Sequence, residues 1–340
     1  MDADQLLTPP QCRDPFIHHL RGEIIPPCGE SEASLAQPTY RAPPTALLER
    51  LSTDQRSSFP QTWNCLPPHM REITFDSRSP GWTPAIILQL GEVLAELSDV
   101  FSKSSTDFGS CSLLPFEISV PPNSPPVTFR SYRINPPTAK KGDAVLDKFL
   151  TAGLIQHSTS PPASPVVFVP KKPGEIRITV NYNELDKLSI LDQLPIPRVD
   201  EVLDKRGTGQ TFSLFDLVSS FHQITVHKDT IPLTVFCTPT RLFERLVMPQ
   251  GSSAAPGWFV KVINEVIKGL DRFAAYLDDT IVFDADPSLH VANMKFFLRL
   301  RKHNIKLSPS KATIGATDAD FLRHTISPAG IMPNAQKWKR

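Results

Sequence analysis

The chain has 340 residues, of which 40% are hydrophobic and 21% charged, and its formal net charge is +1. This length and composition allow two or three folded units with at least one sizeable core. A uniformly basic surface is excluded, so any nucleic-acid site must come from local clustering of Lys and Arg.

Cysteine usage and hydropathy predict an intracellular, cytoplasmic setting. The five cysteines are an odd number, and no two lie at a Cys-x-x-Cys spacing, which argues against a disulfide framework and a zinc knuckle. The N-terminus lacks the apolar segment of a secretory signal. No apolar run reaches the roughly 18–20 residues of a membrane helix. We therefore expect a soluble protein without a signal peptide, transmembrane segment or membrane partner.

Proline divides the chain, because 27 of its 35 prolines lie in residues 1–200. Proline breaks helices and removes a sheet donor, so the first part should be mostly extended or irregular. Residues 1–95 show paired prolines and little periodicity, which predicts a Pro-rich, largely irregular linker with short helices at 46–51 and 86–97. The folded domain should then occupy residues 96–340.

The elements expected after the linker mix strands and helices. Residues 140–154 carry apolar side chains at helical spacing, and two strands at 164–170 and 176–182 should form a hairpin around a basic turn at 171–174. Further strands are expected at 114–120, 127–134, 211–216, 234–239, 242–248 and 321–327, and further helices at 256–269 and 288–302. The absence of strict alternation predicts an α+β fold.

An acidic pair, Asp278 and Asp279, lies between the apolar runs 273–277 and 281–283, which predicts a strand–turn–strand unit. Two carboxylates in an apolar setting are costly unless a metal or protons neutralise them. Oxygen ligands of this kind suit Mg²⁺, which also binds substrate phosphates. The alternative is a solvated hairpin turn, where Asp is common for its local hydrogen bonds.

A third carboxylate, Asp216, ends the predicted strand 211–216. Phosphoryl transfer with two metal ions needs carboxylates from separate strands to bridge ions roughly 3.5–4 Å apart. Asp216 with the acidic pair meets that need. The alternative for Asp216 is a strand-end or helix-capping residue.

Several segments in chain order carry the most specific signal. Phe-Ser-Leu-Phe-Asp-Leu-Val-Ser-Ser-Phe-His-Gln-Ile at 212–224 resembles the first carboxylate motif of reverse transcriptases from Ty3/gypsy-type LTR retrotransposons. Leu-Val-Met-Pro-Gln-Gly-Ser-Ser-Ala-Ala-Pro at 246–256 resembles their dNTP-pocket motif, and Tyr-Leu-Asp-Asp at 276–279 their catalytic hairpin. Residues 321–327 are similar to their primer-grip strand, and 153–160, 164–167, 171–172 and 177 match their fingers. The order holds over roughly residues 112–335.

The resemblance implies a role for individual side chains. The dNTP would be bound by Lys171, Lys172, Arg177, Phe221, Gln250 and Gly251. Phe221 would exclude a 2′-hydroxyl, although an aromatic residue is more commonly part of the core, and the basic turn could be a solvated one. Lys311 could protonate the leaving pyrophosphate or be a surface lysine. The primer grip would comprise Phe321, Leu322, Arg323 and His324.

The resemblance also implies a fold and an activity. The fold would be a right-hand polymerase with fingers at about 112–210 and a palm at about 211–335, and, since the sequence ends at residue 340, no thumb. The activity would be RNA-directed DNA synthesis by a truncated copy of a pol polyprotein. Its metal ions would be two Mg²⁺, with Mn²⁺ as an alternative, bound by Asp216, Asp278 and Asp279. Its partners would be a primed RNA or DNA template and dNTPs; the oligomeric state is left open.

Departures from the family pattern favour a second hypothesis, an inactive retroelement remnant with at most weak nucleic-acid binding. Asn181 and Asn183 replace a usual acid and a usual base, and Arg241, Arg245 and Arg323 replace residues that are usually small or apolar. Another two-metal enzyme, such as a nuclease, is disfavoured because nucleases need no dNTP pocket.

Overall fold

The computed structural model describes residues 60–333 apart from 77, 80, 105, 162, 171–175, 191–196 and 205–208. The predicted helix at 46–51 and turn at 171–174 lie outside these residues. The helices are α1 (Pro84–Glu96), α2 (Pro136–Thr151), α3 (Asn183–Leu188), α4 (Val199–Asp204), α5 (Ala255–Val266), α6 (Pro287–Asn293) and α7 (Phe296–Lys302). The strands are β1 (Thr74–Phe75), β2 (Cys111–Phe116), β3 (Ile155–His157), β4 (Ser164–Pro170), β5 (Ile176–Val180), β6 (Thr211–Asp216), β7 (Ile224–Val226), β8 (Phe236–Cys237), β9 (Leu242–Arg245), β10 (Phe273–Tyr276), β11 (Asp279–Asp284), β12 (Thr313–Ala316), β13 (Ala319–Phe321), β14 (His324–Ser327) and β15 (Gly330–Pro333).

A five-stranded sheet, here the central sheet, carries the predicted carboxylates. Its strand order is β1-β12-β6-β11-β10. Strand β6 lies in the middle and most of its residues are buried, because both faces of the sheet are covered. Strands β6, β10 and β11 confirm the predicted strand at 211–216 and the predicted strand–turn–strand unit.

A buried polar network fixes the register of the central sheet. The Gly315 amide of β12 donates to Ser213 Oγ at 3.1 Å. Ser213 Oγ lies 2.6 Å from His290 Nε2, and His290 Nδ1 lies 2.7 Å from Asp284 Oδ2. One tautomer satisfies every atom in this chain: His290 donates from Nδ1 and accepts at Nε2. Its members are those of a serine-hydrolase triad, but all are buried, so the network joins three strands and α6 rather than meeting a substrate.

Residues 60–96 belong to the folded core, which moves the domain boundary expected at residue 95. Strand β1 pairs with β12, and a helix forms where one was predicted at 86–97. Trp63 is fully buried and donates from its indole to the Ile87 carbonyl at 2.9 Å. Gly91 lets α1 approach this ring, since a Cβ there would lie 2.5 Å from it. Proline content suggested a linker here, but apolar burial outweighs it.

A second five-stranded sheet, here the lateral sheet, has the order β3-β9-β8-β4-β5. It combines β4 and β5 from the predicted fingers with β8 and β9 from beyond residue 211, so the expected boundary at 210 is crossed. The predicted strand at 127–134 is wrong. That segment is mostly exposed and makes one isolated bridge, between Thr128 and Ala163, because neither of its faces is buried.

Two elements predicted as continuous are interrupted. The expected helix at 288–302 is two helices, α6 and α7, joined at Met294 and Lys295 by tighter i→i+3 hydrogen bonds. The expected strand at 321–327 is a hairpin between β13 and β14. Its turn residues, Leu322 and Arg323, both have positive φ, at 51° and 65°. Neither is Gly or Asn, so the turn carried no sequence signal.

Arg245 at the end of β9 is a buried cation. Its guanidinium lies over the Phe236 ring at 5.3 Å and near the Tyr182 hydroxyl, which donates its own hydrogen to the Thr234 carbonyl. Among the described residues, none of its three nitrogens has a hydrogen-bond partner. Burial lowers the pKa of Arg245, which reflects the cost of holding the charge there, and the neighbouring Tyr182 opposes this shift only in part.

We expect Arg245→Met to stabilise the protein by roughly 1–3 kcal/mol, because an unpaired buried charge is replaced by an apolar chain of similar length. Chemical denaturation measures the change. Arg299→Met, at an exposed position of α7, is the matched control and should leave the stability nearly unchanged. A loss of stability in Arg245→Met would contradict this account.

Candidate active site

Antiparallel pairing brings the predicted carboxylates together. Asp216, at the end of β6, stands directly opposite Asp279, at the start of β11. Asp278 lies in the tight turn between β10 and β11, where Leu277 has a φ of 51°. The Asp278 carbonyl accepts from the Leu217 amide at 3.0 Å, which ties this turn to the end of β6. Three acidic residues from two neighbouring strand ends thus share one edge of the central sheet.

Lys311 is the immediate partner of Asp216. Its ammonium nitrogen lies 2.8 Å from both carboxylate oxygens. Burial raises the pKa of Asp216, the charge of Asp278 raises it further, and Lys311 lowers it, with burial the largest effect. The ionised form of Asp216 is therefore held at a cost despite its partner. Lys311 was predicted as a proton donor or a surface lysine; its side chain is 61% exposed and also pairs with Asp216, which is compatible with either role.

The carboxylates suit a hard cation in their chemistry. They offer oxygen atoms, and the ammonium of Lys311 already occupies a cation position against Asp216. Within the described part of the chain, no three His, Cys, Asp or Glu side chains already stand close enough together to hold an ion. Asp278 is exposed, and Asp216 is held by Lys311.

A cavity of about 610 Å³ opens beside these carboxylates. Six residues singled out from the sequence line it: Arg177, Asp216, Phe221, Gln250, Asp278 and Lys311. Lys171 and Lys172 lie outside the described residues. Phe321, Leu322, Arg323 and His324 form the β13–β14 turn and do not line the cavity.

Phe221 lies between the core and the cavity. It lies in a 3-10 helix, Ser220–Gln223, that follows β6, and its ring packs against Phe259 with the centroids 5.6 Å apart. It is half-buried and also lines the cavity. It is therefore a core aromatic with one face open to a ligand.

The Pro-Gln-Gly loop is held against β5. Gly251 has a φ of 112°, and a Cβ there would lie 2.2 Å from the Val180 carbonyl oxygen. The Val180 amide reaches the Gln250 carbonyl at 3.4 Å. Gly251 itself does not line the cavity; its role is to let the loop approach β5 so that Gln250 does.

Three further titratable residues of the cavity were missed. Lys141 and Lys148 project from α2, and His222 follows Phe221. Burial, with a contribution from Arg245, lowers the pKa of His222 to about 3, so His222 is neutral and packs between Phe108 and Phe149. The two lysines had a signal: with Val145 they fall at i, i+4 and i+7, on one helix face.

The architecture is that of the fingers and palm of a right-hand polymerase, and the known proteins that this chain is similar to share that fold. Residues 169–326 match the family Reverse transcriptase (RNA-dependent DNA polymerase). The chain carries a reverse transcriptase domain related to Ty3/gypsy-type retrotransposon Pol polyproteins.

The similar proteins are mobile-element polyproteins. The chain is 36% identical over 202 residues to the Retrovirus-related Pol polyprotein from transposon 297 of Drosophila melanogaster, covering 57% of this chain and 19% of the relative. It is 27% identical over 259 residues to the Retrovirus-related Pol polyprotein from transposon 412 of Drosophila melanogaster, and this match covers 74% of this chain and 21% of the relative. It is 28% identical over 250 residues to the Transposon Tf2-3 polyprotein of Schizosaccharomyces pombe, covering 72% and 19%. The chain thus spans about a fifth of the length of these relatives.

Solved structures confirm the fold. The foamy viral protease-reverse transcriptase in complex with double-stranded DNA has a TM-score of 0.68 at 22% identity, covering 73% of this chain and 44% of that one. The structure of the same enzyme in complex with an RNA/DNA hybrid has a TM-score of 0.68 at 22% identity, and the match covers 73% of this chain and 34% of that one. The predicted α+β fold of fingers and palm is confirmed. In the part of the chain that is described, no helix has the length and apolar character to cross a membrane.

We expect Asp216→Asn to raise the melting temperature by a few degrees near neutral pH. A raised carboxyl pKa contributes stability that is present below the unfolded value, about 3.9, and lost as the pH rises through the folded value. The gain should therefore be small at about pH 3 and larger at about pH 7. Thermal unfolding across this range measures it, with Asp271→Asn on the exposed surface as control. A gain that shrinks with rising pH would refute the charge argument.

Gly251→Ala should destabilise the protein by roughly 1–3 kcal/mol or more, because the new methyl group meets a backbone oxygen. Gly269→Ala is the control, since Gly269 also has positive φ but no described atom lies within 4 Å of its Cβ position. Chemical denaturation measures the free energy of unfolding of both variants. If both lose the same amount of stability, backbone strain alone is involved.

Proposed function

We propose that the chain is the polymerase part of an LTR-retrotransposon Pol protein and catalyses RNA-directed DNA synthesis. The supporting observation is the register that sets Asp216 opposite Asp279, beside a cavity with both acidic and basic walls. The reaction would transfer a nucleotide from a dNTP to a primer 3′-hydroxyl and release pyrophosphate. Reverse transcriptase relatives support the reaction class.

Asp216, Asp278 and Asp279 are the proposed ligands of two Mg²⁺ ions, or of Mn²⁺. When bound, such ions neutralise phosphate charge and lower the pKa of the attacking hydroxyl. The carboxylate of Asp216 is prepared for a cation, because burial makes its ionised form costly without one. Asp278 and Asp279 are exposed at the strand ends, so they are accessible from solvent.

The basic residues would bind the triphosphate. Arg177 lines the cavity from β5, and Lys171 and Lys172 precede it in the sequence. A guanidinium can contact two phosphate oxygens at once. Gln250 would line the nucleotide pocket, held in place through Gly251, and the open face of Phe221 would exclude a 2′-hydroxyl.

Lys311 would act as the proton donor. Its ammonium already lies in the cavity, against Asp216. As the nucleotide and cations arrive, Lys311 exchanges its carboxylate partner for the phosphate chain. Its proton then passes to the oxygen that leaves with pyrophosphate, so that no negative charge accumulates there.

The proposed macromolecular partner is a primed RNA or DNA template. The support comes from the foamy viral enzyme, whose structures contain double-stranded DNA or an RNA/DNA hybrid. The turn residues Leu322 and Arg323, between Phe321 and His324, would contact the primer. Arg323 is exposed at this turn and adds a positive charge where a phosphate backbone could lie.

A second candidate function is an inactive remnant that binds nucleic acid weakly. Two observations favour it: Lys311 occupies both oxygens of Asp216, and Arg323 takes a positive φ that favours Gly. The two candidates differ in whether a cation and nucleotide can displace Lys311.

The polymerase proposal predicts primer extension by the full chain on a primed RNA template with dNTPs and Mg²⁺. Asp278→Asn should lower the rate more than about 100-fold, since even outer-shell partners of a metal ligand cost ~10–100-fold. Asp271→Asn, an exposed carboxylate outside the site, should retain the wild-type rate. Absence of extension by the wild-type chain would instead support the inactive remnant, and unchanged extension by Asp278→Asn would remove the assigned site.

A further inference from the structure

Helix α2 has three faces with different surroundings. At roughly 100° per residue, Lys141, Val145 and Lys148 share one face, and these three line the cavity. Leu146 faces the core and is fully buried. The remaining face is acidic, with Asp143 and Asp147 one turn apart. The helix therefore presents Lys141 and Lys148 to the cavity and its two acids to the other side.

The acidic face is paired with a single side chain, Arg241, in the turn between β8 and β9. Its Nη2 lies 2.7 Å from Asp143 Oδ1, and its Nη1 lies 2.9 Å from Asp147 Oδ1. The planar fork thus bridges two carboxylates on successive helical turns. The guanidinium also lies over the Phe243 ring at 5.1 Å, and the Arg241 amide donates to Thr238 Oγ1 at 2.9 Å.

Close packing fixes the same helix at a second point. A Cβ at Gly142 would lie 2.4 Å from the ring of Phe168, a residue of β4. The helix therefore contacts the lateral sheet through bare backbone on one side and through Arg241 on another. With both contacts in place, α2 cannot rotate about its axis without losing one of them, so Lys141 and Lys148 keep facing the cavity.

The charges of the cavity favour an anionic ligand. Its walls carry four cationic side chains, Lys141, Lys148, Arg177 and Lys311, against two carboxylates, Asp216 and Asp278. The whole chain has a net charge of only +1, so this local excess is a feature of the cavity. Half of these cations come from α2.

We infer that Lys141 and Lys148 bind the polyphosphate of the cavity's ligand, and that Arg241 is a positioning residue that holds them there through the opposite face of α2. This inference rests on the proposed function, since it assigns the binding residues of that same site. The lysines supply point charges that attract the phosphate chain, and the Arg241 fork determines which way they point.

Direct binding tests the lysines. Inorganic tripolyphosphate is titrated calorimetrically into the full 340-residue chain, without metal, at low salt. The Lys141→Gln/Lys148→Gln double variant should bind at least about tenfold more weakly. Lys140→Gln is the matched control, because Lys140 is exposed on the same helix but does not line the cavity. Equal affinity of the double variant and the control, or no binding by the wild type, would overturn the inference.

A double-mutant cycle tests Arg241. Arg241→Gln should weaken tripolyphosphate binding about threefold to tenfold in the wild type, and Arg241→Lys should restore part of the loss. In the chain that lacks both lysines, Arg241→Gln should have no further effect, because Arg241 acts only through them. An equal loss in both backgrounds would refute the positioning role, whereas a merely structural role would lower thermal stability without this non-additivity.

The binding readout separates this inference from the proposed function. If the wild type fails to extend a primer but the lysine double variant still binds tripolyphosphate more weakly than the wild type, the polymerase proposal fails and the anion site stands. If the wild type is active, the double variant should raise the KM for dNTP about tenfold and leave kcat nearly unchanged. An unchanged KM in that variant would overturn the inference while the polymerase proposal stands.

Discussion

The antiparallel pairing of β6 with β11 is the constraint on which the rest of the site depends. It sets Asp216 opposite Asp279, and the β10–β11 turn then carries Asp278 to the same edge. Because side chains alternate along a strand, a slip of one residue would turn these groups to the opposite face. The buried chain from Ser213 through His290 to Asp284 opposes such a slip, since its hydrogen bonds exist in one register only.

Bringing acidic groups together has an electrostatic cost, and the surrounding residues show how the chain meets it. Lys311 pairs with Asp216, but burial still raises the pKa of that carboxyl. The protein therefore holds a charge that it would be more stable without, as is common where function rather than stability selects a residue. The cationic side chains that line the cavity also reduce the electrostatic repulsion between these carboxylates, and Arg241 holds in place the helix that carries two of these cations.

The sequence predicted the parts of the site that depend on local pattern and motif order. Strand β6 ending at Asp216, the turn at Asp278 and helix α5 were all predicted, because periodicity and an ordered set of motifs marked them. Long-range pairing was not predicted: β8 and β9 join the lateral sheet, and residues 60–96 join the core, through contacts that leave no local trace. The turn at Leu322 and Arg323 was missed since neither residue is typical of positive φ. Lys141 and Lys148 lay on a predicted helix, but which neighbour each face meets is a tertiary property.

We propose that Asp216, Asp278 and Asp279 act together as a binding site for a divalent cation. Electron paramagnetic resonance of free Mn²⁺ during titration of the full chain measures this directly, without nucleic acid or catalysis. We expect saturable Mn²⁺ binding that Mg²⁺ displaces and that Asp278→Asn weakens strongly. Equal Mn²⁺ binding by the wild type and Asp278→Asn, or none by either, would contradict it.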